Sequence, residues 1–333
     1  MAKNQNRSAL GLDVGTSRLV LARQSEQGFD YRSQLNAFVE IPFSKMTENV
    51  LKKENVPYRL EGDKIVVYGS ESERFADLLQ METRRPMTKG VLNPTEPASV
   101  EMIKQLVETL TDGESGAGRP MYFSVPAMPL GEETSLTFHE ASLGQMIRDL
   151  GYEPKPINEG LAVVYAELES SNYSGIGISC GGGLCNVCLS YLAVPVASFS
   201  VPKAGDFIDS SASSITGELA TLIRLAKESE FYINGASPNK VHQVLSVYYD
   251  DMIRALVHGL HESIAKTRNM PRIAKPIPIV LSGGTASPKG FRERFEQILK
   301  ESNFPLQISE IRMAQDPLTA TAKGALVAAL TEA

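Results

Sequence analysis

The sequence predicts an α/β protein built from two similar lobes. Three observations carry this. Apolar strand-forming runs flank a tight turn at Gly15-Thr16-Ser17 in SALGLDVGTSRLVLARQ (8–24). The same strand–turn–strand unit recurs, with one further strand, in GIGISCGGGLCNVCLSYLAVPVASFSV (175–201). Segments of helical period follow each unit after an interval, and 333 residues suit two lobes better than one small domain.

Between and after these units the elements read in order. Residues 35–85 mix short strand-like runs with loops, DKIVVYGSES being one strand that enters a turn at Gly69. RRPMTKGVLNP (84–94) reads as a loop. PASVEMIKQLVETL (97–110) places Met102, Ile103, Leu106, Val107 and Leu110 on one helix face. MYFSVPA (121–127) is a buried strand, 136–152 a helix stopping at Gly151, and LAVVYAEL (161–168) another helix after a short strand. DFIDSSASSITGELATLIRLAKES (206–229) reads as one helical run opening on Asp206, and 240–269 as a long helix. PIPIVLSGG (276–284) is a strand ending in a glycine pair. SPKGFRERFEQILKES (287–302) is a helix with Ser-Pro at its start, and 316–333 a helix of small residues.

Composition excludes several classes. The net charge is −6 with no block of five or more like charges, so no nucleic-acid footprint is expected. No run approaches the roughly 20 apolar residues of a membrane-spanning helix. MAKNQNRSAL is polar and lacks the apolar core of a signal peptide. The expectation is a soluble cytoplasmic protein, with membrane contact not indicated.

Cys180, Cys185 and Cys188 are the only cysteines, spaced C-x4-C-x2-C like three ligands of a two-iron cluster. The cluster lacks a fourth thiolate, so they read as small buried hydrophobes in strands. His258 and His261 share a helix face without a zinc pattern around them and read as solvated. The three glycines between Cys180 and Leu184 serve another purpose. Successive backbone N–H groups in a glycine turn make an anion-binding concavity, and glycine lets a phosphate approach. Two such turns facing each other from two lobes would clamp a polyphosphate. Gly283-Gly284-Thr285, at a strand end before a helix, would let a ring or ribose come close.

These pieces, in this order, resemble the actin-like ATPase superfamily of actin, heat-shock chaperone ATPase domains and sugar kinases, and look most like the MreB bacterial actins. The first phosphate motif is matched by GLDVGTSRL (11–19) and the linking motif by Asn158-Glu159-Gly160-Leu161-Ala162. The second phosphate motif aligns with Ser179 to Leu184, and the family's G-G-D-x-F-D segment with Ala204 to Asp209. The adenosine motif is matched by VLSGGTASPKGF (280–291) and the final linking helix by DPLTATAKGAL (316–326). RRPMTKGVL (84–92) resembles the R-P-M-x-x-G-V stretch of MreB.

The resemblance implies two ribonuclease-H-like lobes around a cleft for ATP and Mg2+. The first lobe would be 1–157 with 318–333, carrying an insertion at about 35–83; the second would be 158–317, with an insertion at about 206–270. Asp13 would hold Mg2+ through water. Gly15, Thr16 and Ser17 would donate to phosphate oxygens, and Arg18 would reach a phosphate or solvent. Glu159 would orient the attacking water. Gly181, Gly182 and Gly183 would approach phosphate. Gly205 and Asp206 would meet phosphate or ribose, with Asp206 also suited to cap a helix. Lys227 and Glu228 would contact the nucleoside or form a solvated charge pair, and Gly283, Gly284 and Thr285 would flank adenosine.

Two positions depart from the family pattern. Ser179 stands where the family has a carboxylate, and Leu184 where it has a threonine. The expectation is an MreB-like actin that binds ATP, self-associates into filaments and hydrolyses slowly or not at all. The alternative is a non-filamentous pseudo-ATPase acting as an adaptor.

Overall fold

The computed structural model describes residues 9–131, 135–233 and 237–332. The polar residues 1–8, including Ser8 of the first strand run, lie outside it. The chain starts with a meander of β1 (Leu10–Val14), β2 (Arg18–Ser25) and β3 (Gly28–Leu35). It leaves through β4 (Phe38–Pro42), α1 (Lys45–Lys53), β5 (Tyr58–Glu61), β6 (Lys64–Tyr68) and α2 (Ser70–Leu79), which form a separate small sheet of order β4-β6-β5. A short hairpin, β7 (Met87–Thr88) and β8 (Val91–Leu92), leads to α3 (Ser99–Leu110), β9 (Pro120–Val125), α4 (Thr137–Asp149) and β10 (Glu153–Asn158). The first large sheet has the order β3-β2-β1-β9-β10, with β9 and β10 parallel to β1.

Helix α5 (Glu159–Glu167) then carries the chain to a second meander, β11 (Gly175–Cys180), β12 (Cys185–Tyr191) and β13 (Val194–Val201). Three helices follow: α6 (Gly205–Thr216), α7 (Ala220–Ser229) and α8 (Lys240–Lys266). The chain closes with β14 (Ile277–Ser282), α9 (Phe291–Glu301), β15 (Ile308–Met313) and α10 (Ala320–Glu332). The second sheet has the order β13-β12-β11-β14-β15, with β14 and β15 parallel to β11. Each five-stranded sheet is thus three antiparallel strands followed by two parallel ones.

Strand alternation puts the two faces of β1 and β11 to different uses. Leu10, Leu12 and Val14 enter a core with Ile103, Leu106, Phe123 and Ile147. Ile176, Ile178 and Cys180 enter the second core with Tyr249, Ile253 and Phe295. Full burial of such a side chain contributes ~2 kcal/mol. The opposite faces receive a helix at van der Waals contact. A Cβ at Gly11 would lie 2.3 Å from the Ala322 carbonyl oxygen of α10, and one at Gly177 would lie 2.3 Å from the Gly160 carbonyl oxygen of α5. The same pressing of backbone on backbone joins α5 to α10, since a Cβ at Gly324 would lie 1.7 Å from the Ala162 carbonyl oxygen.

Five readings need correction. The run 206–229 is two helices, not one: Gly217 at φ +80° ends α6, its N–H held by the Ser213 carbonyl. Asp206 does not cap that helix; Ala204 holds the cap position and Asp206 lies in the first turn. Helix α9 starts at Phe291 after Gly290 in the left-handed conformation, so Ser287-Pro288 precede it. RRPMTKGVL contains the β7–β8 hairpin rather than being all loop. His261 is also not simply solvated: its Nε2 lies 3.0 Å from Ser302 Oγ and its ring packs edge-on against Phe304. The three cysteines are free and buried, and among the described residues no cluster of three or more His, Cys, Asp or Glu could hold a metal ion. Among the described residues no helix is long and apolar enough to cross a membrane.

Candidate functional site

The β1–β2 turn is built by residues on both sides of it. The Gly15 N–H donates to the Arg18 carbonyl at 3.1 Å. A Cβ on Gly15 would sit 2.7 Å from that oxygen. Asn36, fully buried, donates from Nδ2 to the Gly15 carbonyl (2.9 Å) and from its backbone to the Ser17 carbonyl (3.0 Å). Ser124 on β9 donates to the Asp13 carboxylate (2.7 Å) and accepts from the Val14 N–H (2.8 Å). Arg18 turns along the strand toward Ser33 Oγ (3.3 Å).

The β11–β12 turn is closed by the Gly181 N–H donating to the Leu184 carbonyl at 2.9 Å. Its outward carbonyls are taken by the elements that follow. Gly181 accepts from the Gly205 N–H (3.2 Å) and the Thr285 hydroxyl (2.7 Å), and Gly182 from the Asp206 N–H (2.8 Å). These bonds bring α6 and the loop after β14 onto the turn. Gly283 at φ +91° is forced by the same crowding, since a Cβ there would lie 2.2 Å from the Cys180 carbonyl oxygen.

The two turns meet. A Cβ on Gly182 would lie 2.3 Å from Ser17 Oγ, and one on Gly183 would lie 2.5 Å from Thr16 Oγ1 and 2.3 Å from the Gly90 nitrogen. The β7–β8 hairpin is wedged at this junction: the Gly90 N–H donates to Thr16 Oγ1 at 3.1 Å. Arg85, just before that hairpin, binds Asp206 across the cleft at 2.8 Å. Further out, Glu73 on α2 binds Arg224 on α7 at 2.7 Å.

Beneath the turns lie two carboxyls. Asn158 caps α5 by accepting from the Leu161 N–H (3.1 Å), which sets Glu159 at the helix start. Ser179 donates to Glu159 Oε2 at 3.3 Å, with the Thr321 hydroxyl 3.5 Å from Ser179. Burial, and then the nearby Asp13 charge, push Glu159 up to about 8. Burial pushes Asp13 up to about 6, against the hydrogen bond from Ser124. Two carboxyls in one poorly solvated floor cannot both ionise freely, so they titrate as a pair.

The residues that the resemblance implies for nucleotide and cation, from Asp13 to Thr285, all lie on the wall of one cavity of about 820 Å3 between the lobes. That volume lies within the range of small-molecule sites. Lys227 is on the wall, but its charge is committed: Nζ lies 2.7 Å from Asp209 Oδ1 and 3.5 Å from the Gly205 carbonyl. Phe231, Pro288 and Leu318 supply apolar wall near it. A nucleotide fits these residues. The glycine backbones of both turns line the cavity bare of side chains, and an apolar wall adjoins them. On the cleft floor a magnesium ion would meet Asp13 beside protonatable Glu159, which suits an ion that keeps most of its water.

Sequence reasoning missed Asn36, Ser124, Asn186, Arg85 and the Glu73–Arg224 pair. Asn186 is fully buried opposite Ser179 in the strand register, and its Oδ1 accepts from the Ala127 N–H at 2.8 Å. Ser124 and Asn186 did leave a signal, being polar residues inside apolar strand runs.

Comparison with solved structures gives the fold. The chain is similar to the MamK double helical filament (TM-score 0.71, 16% identity, covering 97% of this chain and 98% of that one). It is similar to a non-polymerising MamK mutant bound to AMPPNP (TM-score 0.60, 18% identity, 96% and 98%). It is also similar to the ethanolamine utilization protein EutJ from Carboxydothermus hydrogenoformans (TM-score 0.55, 16% identity, 96% and 89%). No curated protein matches the chain. The architecture is therefore the two-lobed actin-like fold. The sequence profile of the Volactin family matches residues 8–329, nearly the whole chain, and the protein belongs to that family.

Proposed function

We propose that this protein binds ATP with Mg2+ between its lobes and assembles into filaments, as a cytoskeletal or scaffolding element. The observation that carries the reading is the meeting of two glycine turns, one from each large sheet, over a cavity of about 820 Å3. The filament half rests on fold likeness to MamK, whose structures include a double helical filament and an AMPPNP complex. A division into lobes of 1–157 with 318–333 and of 158–317 is part of the proposal, supported by the matching strand orders. A cytoplasmic location also belongs to the proposal.

In this reading the Gly15–Ser17 and Gly181–Gly183 turns hold the phosphates from opposite sides. Asp13 orients water around the cation. Glu159 positions the water that would attack, held by Ser179. A bound magnesium–nucleotide would supply the electrophilic phosphorus and the counter-charge for these carboxyls. Two features support slow or absent hydrolysis. Ser179 offers a hydroxyl where a second carboxylate would steady the cation, and Glu159 is held toward its protonated form, which makes it a poor base.

Light scattering and phosphate release, followed in one sample after addition of ATP and Mg2+, test this. Scattering that rises with little phosphate released is the expected result, with filaments visible by negative-stain electron microscopy. ATP binding without scattering or filaments would replace the filament reading with that of an adaptor. No ATP binding at all would remove the nucleotide reading.

A further inference from the structure

We propose that Arg85 distinguishes a nucleoside triphosphate from a diphosphate, by exchanging its bridge to Asp206 for a bond to the terminal phosphate. The inference rests on the nucleotide reading of the cleft and goes beyond it to a residue with no assigned role.

The geometry is specific. Asp206 cannot retreat from the phosphate turn, because its N–H is tied to the Gly182 carbonyl at 2.8 Å. Its Oδ1 lies 3.6 Å from where a Gly182 Cβ would stand, on the same spot that Ser17 Oγ approaches to 2.3 Å from the other lobe. The carboxylate held by Arg85 therefore lies beside both turns. Arg85 is anchored at its main chain, where its carbonyl accepts from Asn93 Nδ2 at 3.3 Å, and the hairpin after it is pinned to Thr16 through Gly90. Its side chain is 28% exposed, which leaves the guanidinium open to solvent on one side.

Charge decides the exchange. Of the cations on the cavity wall, Lys227 is paired with buried Asp209 and Arg224 with Glu73, Arg18 points to Ser33, and Lys289 lies beside Tyr232, beyond the Gly283–Thr285 loop. Arg85 is bound to a carboxylate on the cavity wall at the phosphate end. A terminal phosphate carries more charge than a carboxylate and offers three acceptor oxygens to the planar guanidinium fork. A triphosphate can compete for Arg85; a diphosphate, ending one phosphate earlier, leaves the Asp206 bridge intact. The inter-lobe bond at this depth would then be present with the diphosphate and exchanged with the triphosphate.

The test is equilibrium titration of the full chain with AMPPNP, a non-hydrolysable triphosphate, and with ADP, each with Mg2+. Wild type, R85Q, R85K and D206N are compared. R85Q should lose about tenfold in AMPPNP affinity, as expected for one charge-assisted hydrogen bond that is partly exposed. Its ADP affinity should stay within about twofold. R85K should fall between, keeping charge but not the fork. D206N should bind AMPPNP more tightly than wild type, because Arg85 is released from its rival. A bridge that serves only as a structural clamp would instead lower both affinities together in R85Q and in D206N, and that result overturns the proposal. Failure of the wild type to bind either nucleotide overturns the cleft reading and this inference with it.

Discussion

The substitution Gly324→Ala should be among the most damaging single changes in this protein, although it adds one methyl group. The new Cβ would stand 1.7 Å from the Ala162 carbonyl oxygen and 2.4 Å from its carbon. Real Cβ atoms stay about 3.0 Å or more from such neighbours, so α10 and α5 must part by about 1.3 Å. Both partners are main chain, and no side chain can turn aside. A gap of 0.5 to 1 Å (roughly) already forfeits a quarter to a half of each dispersion contact along a seam. The seam here includes Ala162, Ala322, Ala325 and Leu326, all fully buried. We expect a loss of about 3 kcal/mol or more, at the upper end for overpacked cores. In a chain of this size that lowers the melting temperature by roughly 5 °C or more. Differential scanning fluorimetry reads it directly. A variant melting within about 1 °C of wild type would refute the claim that these helices are in backbone contact.

Two further outcomes follow from the cleft. Glu73→Gln or Arg224→Gln should speed nucleotide release about fivefold, the effect of roughly 1 kcal/mol for a partly exposed pair; the double variant E73R/R224E should restore the slow rate, and a swap no slower than the single changes would show that the pair does not hold the cleft. Glu159 should make the fold less stable as pH rises. Its folded proton affinity, near 8, exceeds the ordinary value of 4.5, so its contribution is fully present below 4.5 and is lost as pH climbs toward 8. Melting temperatures of E159Q and wild type should therefore separate in favour of E159Q between pH 5 and 8, and a separation that does not change with pH would show that Glu159 is not held protonated.

What the sequence disclosed depended on how local the cause was. The glycine turns were legible because each lies between strand-forming runs that stay buried whatever the rest of the chain does. Helix α7 was hidden because Gly217 in a helical pattern can be tolerated or can terminate, and only its positive φ decides. The β7–β8 hairpin has strands of two residues each, too short for a periodic signal, and it is held by Thr16 from 74 positions away. Arg85 and Asp206 are 121 positions apart, and no composition or spacing announces their pairing. The cavity walls were therefore readable, whereas the bonds that tie one lobe to the other were not. Those bonds belong to the tertiary structure alone.

The shared strand order of the two large sheets amounts to an approximate twofold symmetry, and the floor of the cleft breaks it. Gly11 and Asp13 on β1 match Gly177 and Ser179 on β11: in each pair the glycine lies under a crossing helix and the polar residue two positions on faces the cleft. A carboxylate stands on one side of the pseudo-axis and a hydroxyl on the other. A cation in the cleft would ride with the first half, off the axis, while a polyphosphate on it would be gripped by both. Rotation of one half against the other would then stretch the grip on the phosphates and leave the cation's carboxylate undisturbed. The molecule would sense relative motion of its halves through main-chain amides, and a cation held at Asp13 would travel as a passenger of one of them.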